Sequence, residues 1–357
     1  MGIRRFFPGQ DTSNKVSMRF CALMAAVALT LAGMSPMPRE AAPHTNAHPE
    51  FFKIATGSVA GTYFPVGEAL ASLISHPPGA VRCEDPARCG PAGLIAVAQT
   101  SQGSLRNVLM VDSRNTNSAL AQSDIVQQAW LGEGEFRETG SHRNLRAIAN
   151  LYTESIHIAV ARRLNIAGLT QLKGKRVSVD TLDSGTHVVA MPILRAAGLR
   201  PSDLKLNYLD VNQAADQLLS GELDAFFIMG GPPIPAIESL AAAGAIMLLP
   251  LSDDIIKQMQ RERPYLRHTV IPAGTYKSVG NVHTLGVGAL WIVHKDADPE
   301  LIYSITQALW NPENHALLAG GHPQARVFTL DNAASGLPIP LHPGARQFYE
   351  EKGLLTN

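Results

Sequence analysis

Four short stretches hold the residues whose types could do chemistry: TGSVAG (56–61), TSQGS (100–104), DSGT (183–186) and MGGPP (229–233). Each stands between an apolar run and a helical pattern. The chemistry on offer is anion binding. Glycine lets backbone N–H groups approach an oxyanion closely, Ser and Thr add hydroxyls, and a following helix places roughly half a positive charge at its N-terminus. A carboxylate can be held this way without a dedicated Arg. Nucleotide phosphate fits poorly, because GxxxxGK[ST] is absent and Gly57, Gly61 and Gly67 do not follow GxGxxG. Metal chemistry is not expected either: the twelve His are scattered, with no HExxH helix and no CxxC pair. Ser184, His157 and His187 could suggest a hydrolase, but LDSGT lacks the GxSxG elbow that holds a nucleophile exposed. The reading is a binding protein without cofactor or metal, not an enzyme.

The elements that must position these stretches follow a repeated order. FKIAT leads to a helix with Val66, Ala69, Leu70, Leu73 and Ile74 on one face, and Pro65 in its first turn. LIAVAQT leads to SLRNVLMV, and SALAQ to SDIVQQAWLG, where Ser123 or Asp124 would cap the start and Gly132 the end. LRAIANLYTESIHIAVA (145–161) reads as two strands with a bend near Thr153. A second set follows: KRVSVDT into DSGTHVVAMPILRAAGL, with a kink expected at Pro192, then LKLNYLDV into NQAADQLLSG, and LDAFFIMGG into PPIPAIESLAAAG. VHTLGVGALWIVH (282–294) reads as a long strand before a helix from Pro299 to Trp310. This βαβα succession predicts two parallel-sheet α/β lobes with the chain crossing twice between them, a hinge. Ligands of open α/β sheets bind beyond the carboxyl ends of strands, where the four stretches fall. Trp130 and Trp310 read as core residues on helical apolar faces, and His157, alternating with apolar neighbours, reads either as an interior histidine or as a contact near the hinge.

At the N-terminus, Arg4, Arg5, Lys15 and Arg19 precede an apolar run of 14 residues from Cys21 to Met34, the layout of a secretory signal too short to span a bilayer. Cleavage near Ala42 or Ala47 fits, Met18 is an alternative start, and no stable membrane insertion is expected after removal. Export places Cys83 and Cys89, in RCEDPARCGP, in an oxidising compartment where a disulfide closing this small loop is the preferred reading. Removing residues 1–47 takes five of the 30 Lys and Arg and two of the 30 Asp and Glu, leaving a balance of about −3. With no basic block, nucleic acid is a poor partner. About 310 residues exceed one core. The expected division is a leader (1–47), a first lobe (48–152), a second lobe (153–270) and a return to the first (271–357).

The order of TGSVAGTYFPVGEALA, GSLRNV, AQSDIVQQAWLGEGEF, LRAIANLYTESIHIAVAR, LKGKRVSVDTLDSGT, GELDAFFIMGGPP, IPAGTY and GLPIPLHPGARQFYEEKG resembles the TAXI receptors, solute-binding subunits of one class of tripartite ATP-independent periplasmic (TRAP) transporters. The likeness runs from about Phe52 to the C-terminus. It implies a two-lobed type II periplasmic-binding-protein fold that closes on a small anionic solute, such as glutamate, glutamine or a dicarboxylate like 2-oxoglutarate, for a membrane permease. It carries ligand contact onto Thr56, Gly57, Ser58, Tyr63, Gly103 and Ser104 in one lobe and Ser184, Gly185 and Thr186 in the other, with Gly231, Pro232, Gln122 and His157 nearby. The chain departs from the family where Gln102 replaces a Gly and Asp183 precedes Ser184. Asp183 then reads either as the cap of the following helix or as a partner for a ligand ammonium. The same fold could instead serve a membrane sensor or an ABC importer.

Overall fold

The structure is a computed structural model and describes residues 50–80, 85 and 87–355. The leader and Cys83 lie outside these residues, and so do the secretory signal and the Cys83–Cys89 pairing expected there. Among the described residues ten strands form one continuous sheet, β2-β1-β3-β10-β4-β7-β5-β6, with β8 beside β4 and β9 beside β10.

The first half of the chain alternates strand and helix: β1 (Glu50–Ala55), α1 (Tyr63–Ile74), β2 (Leu94–Gln99), α2 (Ser104–Asp112), β3 (Ser118–Gln122) and α3 (Ser123–Leu131). β1 pairs in parallel with both β2 and β3. Gly132 ends α3 in the left-handed conformation at φ 71°. Neither Ser123 nor Asp124 caps α3: Gln122 takes the cap position, and the Ser123 hydroxyl accepts from the Gly288 amide at 3.1 Å.

β4 (Leu145–Ala161) is a single 17-residue strand where two with a bend were expected. After it come β5 (Arg176–Ser178), α4 (Gly185–Ala196), β6 (Lys205–Asn207), α5 (Val211–Ser220), β7 (Ala225–Gly230), α6 (Pro235–Ala242), β8 (Ile246–Leu248), α7 (Asp253–Glu262) and β9 (Arg267–Ile271). β5 pairs in parallel with β6 and β7. β10 (Val282–His294) then runs antiparallel to β4 from Gly286 opposite Ser155 to His294 opposite Leu145, and its early part pairs with β9. Register shifts between Ala289 and Leu290 and between Trp291 and Ile292 take up the twist, so β4 stays unbroken. The chain closes with α8 (Pro299–Leu309), α9 (His315–Gly321), α10 (Leu330–Ala333) and α11 (Pro343–Glu351). The tail segment before α11 lies on the first lobe, where Ala147 donates to Pro340 and accepts from the His342 amide.

β4 and β10 thus run from one lobe into the other. β1, β2 and β3 flank their outer ends, while β5, β6, β7, β8 and β9 flank the inner ends. Period-two alternation sends opposite faces of each half to different helical layers. In the first lobe Trp291 and Val293 pack with α1, α8 and α11, while Leu290 and Ile292 pack with α2 and α3. In the second, Phe227 and Met229 pack with α4 and α7, while Phe226 and Ile228 pack with α5 and α6. Burying a Phe or Trp fully contributes about 2–3 kcal/mol, so these layers dominate stability. Trp130 is only half-buried, with the Arg143 guanidinium 4.8 Å above its ring, and half-buried Trp310 donates to the Tyr349 hydroxyl at 2.9 Å. No helix among the described residues is long and apolar enough to cross a membrane.

Candidate functional site

A cleft of about 480 Å³ lies between the lobes, within the range of small-molecule sites. Its lining comes from loops at strand carboxyl ends in both lobes. On the first, β1 runs into residues 57–63 and β2 into residues 100–104, ending at α1 and α2. Neither helix has a side-chain cap: Thr62 and Gly103 occupy the cap positions without bonding the first-turn amides. Two helix N-termini therefore meet the cleft without side-chain caps, and although the Asp183 carbonyl takes the Arg106 amide of α2, the earlier first-turn amides of both helices suit a carboxylate. Gly103 stands at φ 111°, and a Cβ there would lie 3.3 Å from the Ser184 Cα of the other lobe. Its backbone angle favours glycine, and the contact leaves a side chain little room.

The second lobe presents the opposite sign. Here β5 runs through Asp180 and Thr181 to α4, and β6 leads to Asp210 at the start of α5. Asp210 caps α5, accepting from the amides of Asn212 at 2.8 Å and Gln213 at 3.1 Å. Ser184 caps α4 by accepting from the His187 amide at 3.1 Å. Burial pushes the Asp180 carboxyl up to about 6, against the Thr181 amide and the Thr186 and Ser184 hydroxyls, which favour its ionised form. Among the described residues the lining contains no Lys, Arg or His.

The lobes touch directly around this cleft. Thr62 donates to the Gly231 carbonyl at 2.8 Å, Asn212 to the Ser58 hydroxyl at 2.6 Å, and Thr181 to the Gln102 carbonyl at 3.2 Å. Two backbone bonds join them, Ala236 to Ala60 at 3.2 Å and Arg106 to Asp183 at 3.4 Å. This is a closed arrangement. Gly185 packs closely there, where a Cβ would stand 2.2 Å from the Gln122 amide oxygen.

Of the residues predicted to meet a ligand, Gly57, Ser58, Tyr63, Gly103, Ser104, Gln122, Ser184, Gly185 and Thr186 line the cleft. The others lie elsewhere. Thr56 is buried, its hydroxyl donating to the Gln99 carbonyl at 2.8 Å and its own carbonyl accepting from Asn107 at 2.6 Å, so it anchors the first loop from behind. His157 is buried, with Nδ1 donating to the Ser155 carbonyl at 2.8 Å and Nε2 accepting from the Tyr276 hydroxyl at 2.9 Å. Burial holds it neutral, with its pKa lowered to about 4. Asp183 is exposed and outside the lining, and the α4 cap is its neighbour Ser184. Gly231 and Pro232 lie beyond Gly230, which does line the cleft, and Gly231 serves the contact with Thr62. Asp180, Thr181, Asp210 and Asn212 were missed. The rule that located the other loops applies equally to LDVNQ, where a strand ends at an Asp that opens a helix.

Behind this lining two carboxyls are fully buried, Glu154 on β4 and Asp124 in the first turn of α3. None of their four oxygens has a hydrogen-bond partner among the described residues. Tyr63 and Gln122 approach Glu154 without closing a hydrogen bond of normal geometry. Burial raises Glu154 to about 8, opposed by Tyr63 and Gln122 and reinforced by Asp124, and raises Asp124 to about 7, opposed by the backbone amides of Ile125 and Asp124, which approach it without closing a bond of normal geometry, and by Arg263. No group of three or more His, Cys, Asp or Glu among the described residues could hold a metal ion.

Two α/β lobes joined by long antiparallel strands, with the cleft at strand carboxyl ends, define the type II periplasmic-binding-protein fold. The chain belongs to the NMT1-like family, whose model matches residues 54–353. Among solved structures it is similar to the periplasmic binding protein BugD, at 11% identity and a TM-score of 0.51, covering 86% of this chain and 95% of that one. It is also similar to PhnD1 from Prochlorococcus marinus in complex with methylphosphonate, at 11% identity and a TM-score of 0.50, covering 86% of this chain and 100% of that one. At such identities the likeness speaks for the fold.

Proposed function

We propose that the chain is an extracytoplasmic receptor of the TAXI kind, which holds a small amino acid or organic acid between its lobes and delivers it to a TRAP-type permease. The observation that carries this reading is the polarity of the cleft: the N-termini of α1 and α2, which have no side-chain caps, on one side, Asp180 and Asp210 on the other. A solute with a carboxylate at one end and an ammonium at the other matches both walls. Glutamate or glutamine therefore suits the cleft better than 2-oxoglutarate, whose two carboxylates would set one against Asp180. The ammonium partner considered at Asp183 is placed instead three residues earlier. Export through the N-terminal segment, a Cys83–Cys89 disulfide and a first lobe of residues 48–152 and 271–357 enclosing a second of 153–270 belong to the same reading. Service to an ABC importer or a membrane sensor would use the same closure, and the permease assignment rests on the TAXI resemblance.

Isothermal titration of L-glutamate against 2-oxoglutarate, with wild type and Asp180→Asn, tests this. Wild type is expected to prefer glutamate. Removing a charge-assisted bond worth about 1.5–3 kcal/mol should weaken glutamate roughly 10- to 100-fold and leave 2-oxoglutarate unweakened. Equal affinity for both acids in both proteins would discard the zwitterion assignment.

A further inference from the structure

Glu154 occupies the crossing between the lobes, opposite Val287 of β10, and Asp124 opens α3 beside the Ser123 hydroxyl that holds Gly288. Rotation of the lobes about β4 and β10 must therefore act on this pair. The surroundings offer donors and acceptors that stay unused. Gln122 and Tyr152 are 3% and 5% exposed, and neither the Gln122 amide oxygen nor the Tyr152 hydroxyl has a partner. α1 faces Glu154 with Tyr63, β4 with Tyr152, and α3 with Asp124. The segment after α7 faces Asp124 with Arg263 and Tyr265, and Arg263 also pairs with Glu262 at 3.7 Å. Arg263 is the one cation acting on Asp124 among the described residues, and none acts on Glu154.

A buried carboxylate with no bonded donor and a second carboxylate nearby is costly when ionised, and a neutral carboxyl is not. As a neutral acid Glu154 also gains an O–H that can bond the Gln122 amide oxygen, an acceptor otherwise left alone. Gln122 is the side chain against which Gly185 closes, and Tyr63 lines the cleft. We infer that Glu154, supported by Asp124, is a proton-binding positioning residue beneath the cleft, so that closure over the solute is accompanied by uptake of a proton on this pair. The inference rests on the reading of the cleft as a solute site. Burial sets the Glu154 carboxyl near 8, which puts the change in the neutral to mildly alkaline range.

The test titrates L-glutamate into wild type, Glu154→Gln and Asp124→Asn at pH 6 to 9, in buffers of differing ionisation enthalpy. Wild type is expected to take up close to one proton per solute between about pH 6 and 7, about half a proton near pH 8 and almost none by pH 9, with Kd rising about tenfold per pH unit up to about pH 8 and levelling above it. Glu154→Gln, which keeps the shape and a neutral head, should bind with a flat profile and no proton uptake. Equal proton counts in wild type and Glu154→Gln would overturn the inference. So would a dependence of Kd on sodium against choline chloride at fixed pH, which would mean that a metal cation fills the pair. Should L-glutamate bind none of the proteins, the solute assignment fails and ligand-free melting decides the pair. Wild type should then lose stability relative to Glu154→Gln between pH 5 and 9, and parallel profiles would overturn the inference. Asp124→Asn gives a second reading of the same comparison if Glu154→Gln does not fold.

Discussion

Asp180 shows at the scale of one residue how the neighbourhood decides a role that a residue type leaves open. Asp183 and Asp180 precede the same helix, yet Asp183 is exposed while Asp180 faces the cleft, in the left-handed region at φ 68° and bonded to the Thr181 amide at 2.8 Å. Only the turn between them determines which carboxylate faces inward, and a sequence pattern does not encode that turn. His157 is the reverse case, because its alternation with apolar neighbours already pointed to the interior. Its folded pKa near 4 lies below the ordinary 6.5, so the unfolded chain binds the extra proton first. Stability held above pH 6.5 should be lost as pH falls through 4, by about 3 kcal/mol. Acid melting of wild type and His157→Gln tests this, and equal slopes between pH 6.5 and 4 would refute it. Glu154 has the opposite sign. Its raised pKa in the closed form means that the stability of that form, present below about 4.5, declines as pH rises toward 8, on the order of 3–5 kcal/mol.

Among the elements, the helices and the strands that feed them were legible because each step has a local cause: apolar periodicity, Pro in the first turn of α1, Gly132 after α3. β4 was harder. Its polar centre, Thr153 to Ser155, looks like a break in isolation, and only the pairing with β10 keeps it extended. The caps of α3 and α4 were also illegible beyond one residue, since Ser123 is engaged by Gly288 and Ser184 by His187. Contacts between lobes leave no local signature at all. Gly185 looked like a site of backbone approach to the ligand, but its first constraint is Gln122 from the facing lobe. Gly185→Ala should therefore impede closure. Overpacking of about 1–3 kcal/mol would weaken solute binding roughly 10- to 100-fold with little change in ligand-free melting. Gln122→Ala in the same chain should restore part of the loss, and an absence of rescue in calorimetry would place the effect elsewhere.

For the whole molecule, one sheet runs through both lobes by way of β4 and β10, so neither lobe is independent of the other's position. The two-lobed plan followed from the alternation of elements and from chain length, whereas the direct contacts of Thr62 with Gly231 and Asn212 with Ser58 depend on a closed geometry that only three dimensions reveal. A ligand that touches both walls shifts the balance toward closure by its differential affinity for that state. Small-angle scattering of the protein stripped of ligand by unfolding and refolding, then saturated with a solute whose binding calorimetry has established, tests this account most directly. Contraction is predicted toward a radius of gyration of about 19 Å, the value for a compact chain of some 310 residues. Superimposable profiles with and without the bound solute would contradict it.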